Sequence, residues 1–267
     1  MPLARNRLAI PAAPVASGTV YLVGAGPGAP DLLTVRAARL LARADVVFHD
    51  ALVHPDTLAL ATRAKIIGVG KRSGVHSTAQ RFINKRLVDA ARRHAVVVRL
   101  KGGDPMLFGR AQEEIAALEA AGVRCEIVPG VTSALAAAAD LRTSLTVRGS
   151  VRTFTFVTPR AADAAAAHDW VGALRHADAG AIYMGLREAP AIAQALIESG
   201  SDPATPVAIV ADASLPTARL RHTTLAELAA HEQWAEGAPA LVLIGPQFRA
   251  RAARPREAQP AEAARCA

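Results

Sequence analysis

Short runs of β-branched and apolar residues alternate along this chain with longer stretches of helical spacing, and most of the runs stop at glycine or at a charged turn. This alternation constrains the fold more than any other feature. A strand followed by a helix returns to a parallel neighbour through a crossover, so repeated β/α units predict a mainly parallel sheet covered by helices. The predicted strands of the first half are Val20–Val23, Asp45–Phe48, Lys65–Val69, Val96–Leu100 and Val123–Val128. Between them, Asp31–Ala44, Ser77–His94 and Gln112–Ala121 have helical spacing, and Val131–Ala139 follows the last strand. Ser77 and Gln80 have the spacing of a capping box at a helix start. The rhythm pauses over Arg142–Val151 and then resumes. Strands are expected at Thr153–Val157, Ala181–Met184, Val207–Val210 and Leu241–Ile244, and helices at Asp169–His176, Ala189–Ser199 and Leu225–His231. The reading is two α/β domains, 17–145 and 146–248, with Arg/Ala/Pro-rich ends at 1–16 and 249–267 expected to be disordered tails.

Composition narrows the function classes. Of 267 residues, 51% are hydrophobic, and alanine supplies nearly half of these, yet enough large apolar residues remain to build a core. The net charge is +8, but the two ends carry +2 and +3 of it, which weakens a nucleic-acid reading of the folded part. Only 4% of residues are aromatic, too few for a base-stacking platform. The two cysteines, Cys125 and Cys266, make neither a disulfide framework nor a four-cysteine zinc site, and no metal-ligand cluster is evident. Cys125 lies in an apolar run and reads as a small core residue. No apolar run is long enough for a membrane span, and residues 1–17 lack a signal-peptide core, so a cytoplasmic protein is expected.

Five segments carry candidate chemistry. Gly24-Ala25-Gly26-Pro27-Gly28 follows the first strand and permits close backbone approach to a ligand, but it also suits any βα turn. Phe48-His49-Asp50 puts a carboxylate at a strand end, where open α/β sheets bind ligands; a helix cap is the alternative. Gly70-Lys71-Arg72-Ser73-Gly74 is either an anion receptor or a solvated loop. Arg99-Leu100-Lys101-Gly102-Gly103-Asp104-Pro105 combines charge, glycine and proline at a strand end more densely than a structural loop requires. Pro129-Gly130-Val131-Thr132-Ser133 is a strand-to-helix turn whose hydroxyls suit a cap or a ligand.

In this order the five segments resemble the tetrapyrrole methylase family over roughly residues 19–248. The segments VYLVGAGPGAPDLLT, GKRSGVHSTAQRFIN, RLKGGDPMLFGR and EIVPGVTSA, with Ile182-Tyr183-Met184-Gly185 further on, are most similar to members acting on uroporphyrinogen III. The resemblance implies a mainly parallel N-terminal sheet and a mixed C-terminal sheet. It further implies S-adenosylmethionine in the inter-domain cleft, S-adenosylhomocysteine as its product, and a homodimer. The implied activity is methylation at C2 and C7 to precorrin-2, on the route to sirohaem and cobalamin. Position by position, it assigns cofactor contacts to Pro27, Gly102, Gly103, Asp104, Leu107, Thr132, Ser133, Met184 and Ala213. It assigns Asp50 as proton acceptor and Lys71 as proton donor. Lys71, Arg72, Arg99, Lys101 and Arg148 are the candidate cations for substrate carboxylates.

Some positions depart from the family pattern. His49 stands where Tyr is common, Ala29 where Asp is common, and Ala213 at a cofactor-contacting Gly. Val147 replaces His in an L-T-H-R segment, and Pro159-Arg160 replaces Gly-His after Thr158. A methylase of a later corrin precursor is the nearest alternative. A relative acting on ribosomal RNA, a nicotinamide-dependent oxidoreductase and a non-enzymatic nucleic-acid binder are more distant ones.

Overall fold

The structure is a computed structural model describing residues 18–70, 80–159, 169–230 and 238–250. Its first half is a five-stranded parallel sheet in the order β3-β2-β4-β1-β5. The strands are β1 (Thr19–Gly24), β2 (Val46–His49), β3 (Lys65–Gly68), β4 (Val96–Lys101) and β5 (Cys125–Val128). Its helices are α1 (Val35–Arg43), α2 (Pro55–Ala59), α3 (Gln80–Ala91), α4 (Ala111–Ala120) and α5 (Ser133–Asp140). The inner strands read as continuous apolar runs because both sheet faces are covered. One face packs Val20, Leu22 and Val97 against Ile83, Leu87 and Leu118 of α3 and α4. The other packs Val23, Val47 and Leu100 against Ala37, Leu40 and Leu41 of α1.

The second half holds a mixed sheet in the order β6-β7-β10-β8-β9. Its strands are β6 (Phe154–Val157), β7 (Ala179–Ile182), β8 (Pro206–Ala211), β9 (Arg219–Thr224) and β10 (Ala240–Ile244). Strands β6 and β7 are parallel and the remaining pairings antiparallel. The described helices of this half are α6 (Trp170–Arg175), α7 (Ala189–Glu198) and α8 (Leu225–Ala230). The expected pair of α/β units, one parallel and one mixed, is what forms. Helix α5 connects them: Ala134, Ala136 and Ala137 pack against Ala181, Ala208, Leu241 and Leu243 of the second sheet. Alanine on both sides lets the helix approach the sheet closely, without long side chains between them.

Several boundaries differ from the sequence reading for local reasons. A 3-10 turn at Pro30–Leu32 precedes α1, which starts only after Thr34, whose side chain accepts from the Ala37 amide at 3.1 Å. Strand β7 ends at Ile182, two residues early, because Met184 takes a left-handed conformation (φ +57°). Strand β9 and helix α2 have no counterpart in the sequence reading. The former is a polar, exposed edge strand, Arg-Leu-Arg-His-Thr-Thr, and the latter is a single short turn begun by Pro55. Asp169 caps α6 by accepting from the Gly172 amide at 2.7 Å. The capping serine Ser77 lies outside the described residues. Among the described residues, no helix is long and apolar enough to cross a membrane, and no group of His, Cys, Asp and Glu could hold a metal ion.

Candidate active site

The carboxyl ends of the parallel strands carry the motifs, and the register of the sheet sets them side by side. Gly24 of β1 lies opposite Lys101 of β4, so the GAGPG and GGDP loops leave the sheet together. Gly103 N donates to Gly26 O at 2.7 Å, and Gly26 N donates to Gly103 O at 3.2 Å. On the other flank of β1, Val23 pairs with Val128, which places the Pro129-Gly130 turn beside the same two loops. A Cβ on Gly24 would lie 2.6 Å from Gly130 Cα and 2.7 Å from Gly103 O. Three backbone segments therefore meet with no room for a side chain. Asp104 fastens them, its Oδ1 accepting from Met106 N at 2.7 Å and its Oδ2 from Gly130 N at 2.9 Å.

Gly103 itself is left-handed (φ +66°), and a Cβ there would meet nothing nearer than Thr132 Cα at 3.9 Å. Its face is thus open backbone next to a hydroxyl-bearing turn, a surface a ligand can approach closely. This observation fits a bound nucleoside-type cofactor such as S-adenosylmethionine at the positions assigned from sequence.

The second half closes over these loops. Tyr183 OH lies 2.7 Å from Thr132 Oγ1 and accepts from Ala134 N at 3.3 Å. Thr132 is the positional N-cap of α5, yet its own side chain makes no cap bond; the tyrosine from the other half supplies that acceptor. The Phe108 and Tyr183 rings are 5.1 Å apart. Ser214 Oγ accepts from Ala29 N at 3.0 Å, while Ser214 N donates to Asp140 Oδ2 at 2.8 Å. Met184 and Ala213 flank these bridging residues, and Asp212, Ser214 and Met184 are all left-handed. Pro27, Gly102, Gly103, Asp104, Leu107, Thr132, Met184 and Ala213 thus lie on loops, and Ser133 at the start of α5, that converge on one region between the halves.

Asp50 sits one residue beyond β2, with 29% of its side chain exposed. Its Oδ1 accepts from Arg99 Nη2 at 2.5 Å, and its backbone N donates to Leu100 O. His49, in the usual tyrosine position, places Nδ1 2.9 Å from the Asp50 carbonyl. Gly70 packs its Cα against the Asp50–Ala51 backbone so closely that no Cβ fits, so the Gly-Lys-Arg segment begins beside Asp50. Lys71 and Arg72 lie outside the described residues.

The structure places two of the candidate substrate cations differently from the expectation. Arg99 and Lys101 are each 3% exposed and point into the domain. Arg99 Nε donates to Glu114 Oε1 at 3.0 Å and Lys101 Nζ to Glu114 Oε2 at 3.1 Å. Their charges are already matched inside the protein because α4 turns a fully buried carboxylate toward β4. Burial opposes the charge on Arg99, but Asp50 and Glu114 outweigh it and hold the guanidinium above its ordinary pKa. Burial, aided by the neighbouring Arg99 charge, pulls the Lys101 ammonium below its ordinary value despite Glu114. Arg148 is exposed in the turn closed by Val147 and Val151 and is not among the residues seen to bridge the motifs. Cys125 packs against the core, and burial pushes its thiol up to about 11, which suits a packing residue rather than a nucleophile.

Ser214 and Glu114 escaped the sequence reading, and Tyr183 entered it only as part of the Ile182–Gly185 segment, without a role. Glu114 left a usable signal. It lies with Ala111 and Leu118 on the buried face of α4, where an unpaired carboxylate is costly and two strand cations are available. Tyr183 is one of only two tyrosines in the chain, whereas nothing marks Ser214 in sequence.

Comparison with known proteins gives this geometry a context. The family model for tetrapyrrole (corrin/porphyrin) methylases matches residues 19–229. The siroheme synthase of Azotobacter vinelandii is 46% identical over 242 residues, covering 90% of this chain and 52% of the relative. That of Chromobacterium violaceum is 44% identical over 86% of this chain and 49% of its own length. The chain therefore spans about half the length of the curated relatives it matches. A solved structure of uroporphyrin-III C-methyltransferase from Thermus thermophilus, complexed with S-adenosylhomocysteine, is 40% identical with a TM-score of 0.76. The match covers 86% of this chain and 98% of that one. A cobalt precorrin-4 methyltransferase structure is 29% identical with a TM-score of 0.73. This chain belongs to the tetrapyrrole (corrin/porphyrin) methylases.

Proposed function

We propose that this chain is an S-adenosylmethionine-dependent C-methyltransferase acting on uroporphyrinogen III, at C2 and C7, to give precorrin-2 for sirohaem or cobalamin synthesis. The observation that carries the reading is the convergence of the GAGPG, GGDP and PGVTS loops with Tyr183–Met184 and Ala213–Ser214. It occurs in a chain 40% identical to a uroporphyrin-III C-methyltransferase holding S-adenosylhomocysteine. The precorrin-4 enzyme, at 29% identity, supports the later-precursor alternative less well.

When bound, S-adenosylmethionine supplies a methyl group on an electrophilic sulfonium. The open Gly103 backbone and the Thr132–Tyr183 pair would hold that reactant, on loops that the packed Gly24 and Gly130 keep rigid. Positioning of this kind supplies much of the acceleration of a two-reactant step. The attacking pyrrole carbon carries a side chain and no hydrogen, so its new C–C bond leaves a cationic ring system that is neutralised by losing a proton from a neighbouring bridging carbon or ring nitrogen. Asp50 is placed to take that proton: Oδ1 is committed to Arg99, and none of the described residues bonds Oδ2. Lys71, beginning one residue after the Gly70 contact, is assigned the proton-donor role, with Arg72 and Arg148 for substrate carboxylates. The buried Arg99 holds the base and Lys101 pairs with Glu114, instead of meeting the substrate. Calorimetry and transfer of a labelled methyl group test this assignment together. Asp50→Asn is expected to retain cofactor affinity and lose at least tenfold in turnover, and full turnover would remove Asp50 from the mechanism.

A homodimer working in the cytoplasm completes the reading. A groove of about 570 Å³ between α5 and β6 is lined by Leu135, Ala138, Thr143, Leu145, Phe154 and Phe156. Leu135 is 54% exposed and Phe156 37%, an apolar surface of the kind subunit contacts cover. Analytical ultracentrifugation of the parent chain and Leu135→Glu would report a dimer and a weakened dimer; a monomeric parent would contradict this part.

A further inference from the structure

The mechanism leaves unused the best-buried ionisable group at the strand ends. Glu114 is wholly inaccessible, yet it sits at the centre of a network joining four elements. It accepts from Arg99 Nε and Lys101 Nζ of β4, and from Gln80 Nε2, the first residue of α3, at 3.1 Å. Arg99 passes the connection on to Asp50 at the end of β2, and its third nitrogen donates to Leu100 O at 3.1 Å. Every arm of the guanidinium is therefore held by a fixed acceptor. Two carboxylates and two cations make the quartet neutral.

Other charged or titratable groups are arranged around it. His49 adjoins Asp50, and Glu113 with its partner Arg110 lies at the start of α4. Cys125 lies on β5, where the Glu114 charge contributes to holding its thiol protonated. Lys71 and Arg72 follow Gly70 in the chain. Gln80 begins α3, so Glu114 also holds the start of that helix.

We propose that Glu114 is a positioning residue for the methyl-transfer reaction: through Arg99 it fixes the orientation and the charge environment of Asp50, with Lys101 balancing the buried charge. The inference rests on Asp50 being the proton acceptor. A buried carboxylate with a merely structural role would, once neutralised, leave buried cations unpaired and cost stability without moving the titration of Asp50. One that sets the charge balance around Asp50 must act with a sign. Glu114→Gln removes a negative charge two contacts from Asp50 and leaves the quartet positive, so the Asp50 carboxylate becomes easier to ionise. Lys101→Met leaves it negative and makes Asp50 harder to ionise. At the separations of such a network, and with a protein dielectric near 20, each change is expected to shift the titration by about one pH unit.

The experiment follows the Asp50 side-chain carboxyl by carbon NMR in the intact chain, alongside the acid limb of turnover against pH. Glu114→Gln is expected to move both about one unit down, Lys101→Met about one unit up, and the double variant back to the parent value. That restoration separates charge coupling from structural damage. Folding is checked by circular dichroism, and each single variant stands as a test by itself. If only the double variant folds, an unaltered Asp50 titration supports the charge balance, and a displaced one contradicts it. Shifts of the same sign in both singles, or none in either, would overturn the inference. Shifts in the NMR titration without a matching change in turnover would leave the network intact and overturn the role of Asp50 as base.

Discussion

Tyr183 places its hydroxyl 2.7 Å from Thr132 Oγ1 and 3.3 Å from Ala134 N, so a side chain of the second half completes the start of a first-half helix. One side chain therefore ties the second half to the turn that starts α5. Tyr183→Phe keeps the ring contacts with Phe108 and Phe156 and removes only the oxygen. It leaves a helix-start amide without its acceptor, and about 1–2 kcal/mol of stability should be lost. Urea unfolding measures this, and calorimetry should show weaker S-adenosylmethionine binding in parallel. A variant as stable and as tightly binding as the parent would mean that the bridge is incidental.

Glycine positions make a paired test. Gly24→Ala drives a methyl group into the Gly130 and Gly103 backbones, where no flexible side chain can yield. Separating the three loops should cost about 1–3 kcal/mol or more and reduce cofactor affinity at least tenfold. Gly122 is left-handed (φ +66°), but a methyl group there would have nothing within 4 Å of it. Gly122→Ala should cost only about 1 kcal/mol of backbone strain and leave affinity unchanged. Equal effects on cofactor binding would refute the packing argument. Gly103→Val combines both penalties, because it strains a φ of +66° and fills the open face toward the ligand.

Cys125 provides a chemical test of burial. Its thiol is pushed up to about 11, so at pH 8 much less of it is thiolate than in an exposed cysteine. Peptide-resolved alkylation should find it at least tenfold slower than a free thiol. The raised value also sets a sign for stability. The unfolded thiol ionises first, so the contribution is whole below the ordinary cysteine range and fades as pH rises through about 11. Cys125→Ala should flatten that alkaline decline.

Asp178 tests the opposite sign. Its Oδ2 accepts from the amides of Arg152 and Thr153 and from the Thr153 hydroxyl, and these hydrogen bonds hold its carboxyl below the ordinary range. Such a group stabilises the fold above its unfolded value, and the benefit disappears as pH falls through the lower folded value. Asp178→Asn should therefore lower the melting temperature at neutral pH and make little difference in strong acid. A penalty independent of pH would assign the residue a different role.

Much of the architecture is legible in sequence because parallel strands buried on both faces leave apolar runs that stop at their glycines. Polar edge strand β9 leaves no such run and passes for loop. The candidate site divides in the same way. Gly103, Asp104 and Thr132 announce themselves through local chemistry, since the backbone geometry they need restricts residue type. Arg99 and Lys101 look like solvent-facing cations until Glu114, distant in sequence by more than a helical turn, is seen between them. Contacts such as Ser214 with Ala29 depend on how two separate halves meet, which no local pattern encodes.

Anaerobic incubation of the chain with uroporphyrinogen III and S-adenosylmethionine, followed by mass spectrometry of the tetrapyrrole, tests the proposed activity most directly. The expected result is a product heavier by two methyl groups, formed together with S-adenosylhomocysteine and lost in Asp50→Asn. A tetrapyrrole of unchanged mass, from a folded chain that binds the cofactor, would contradict it.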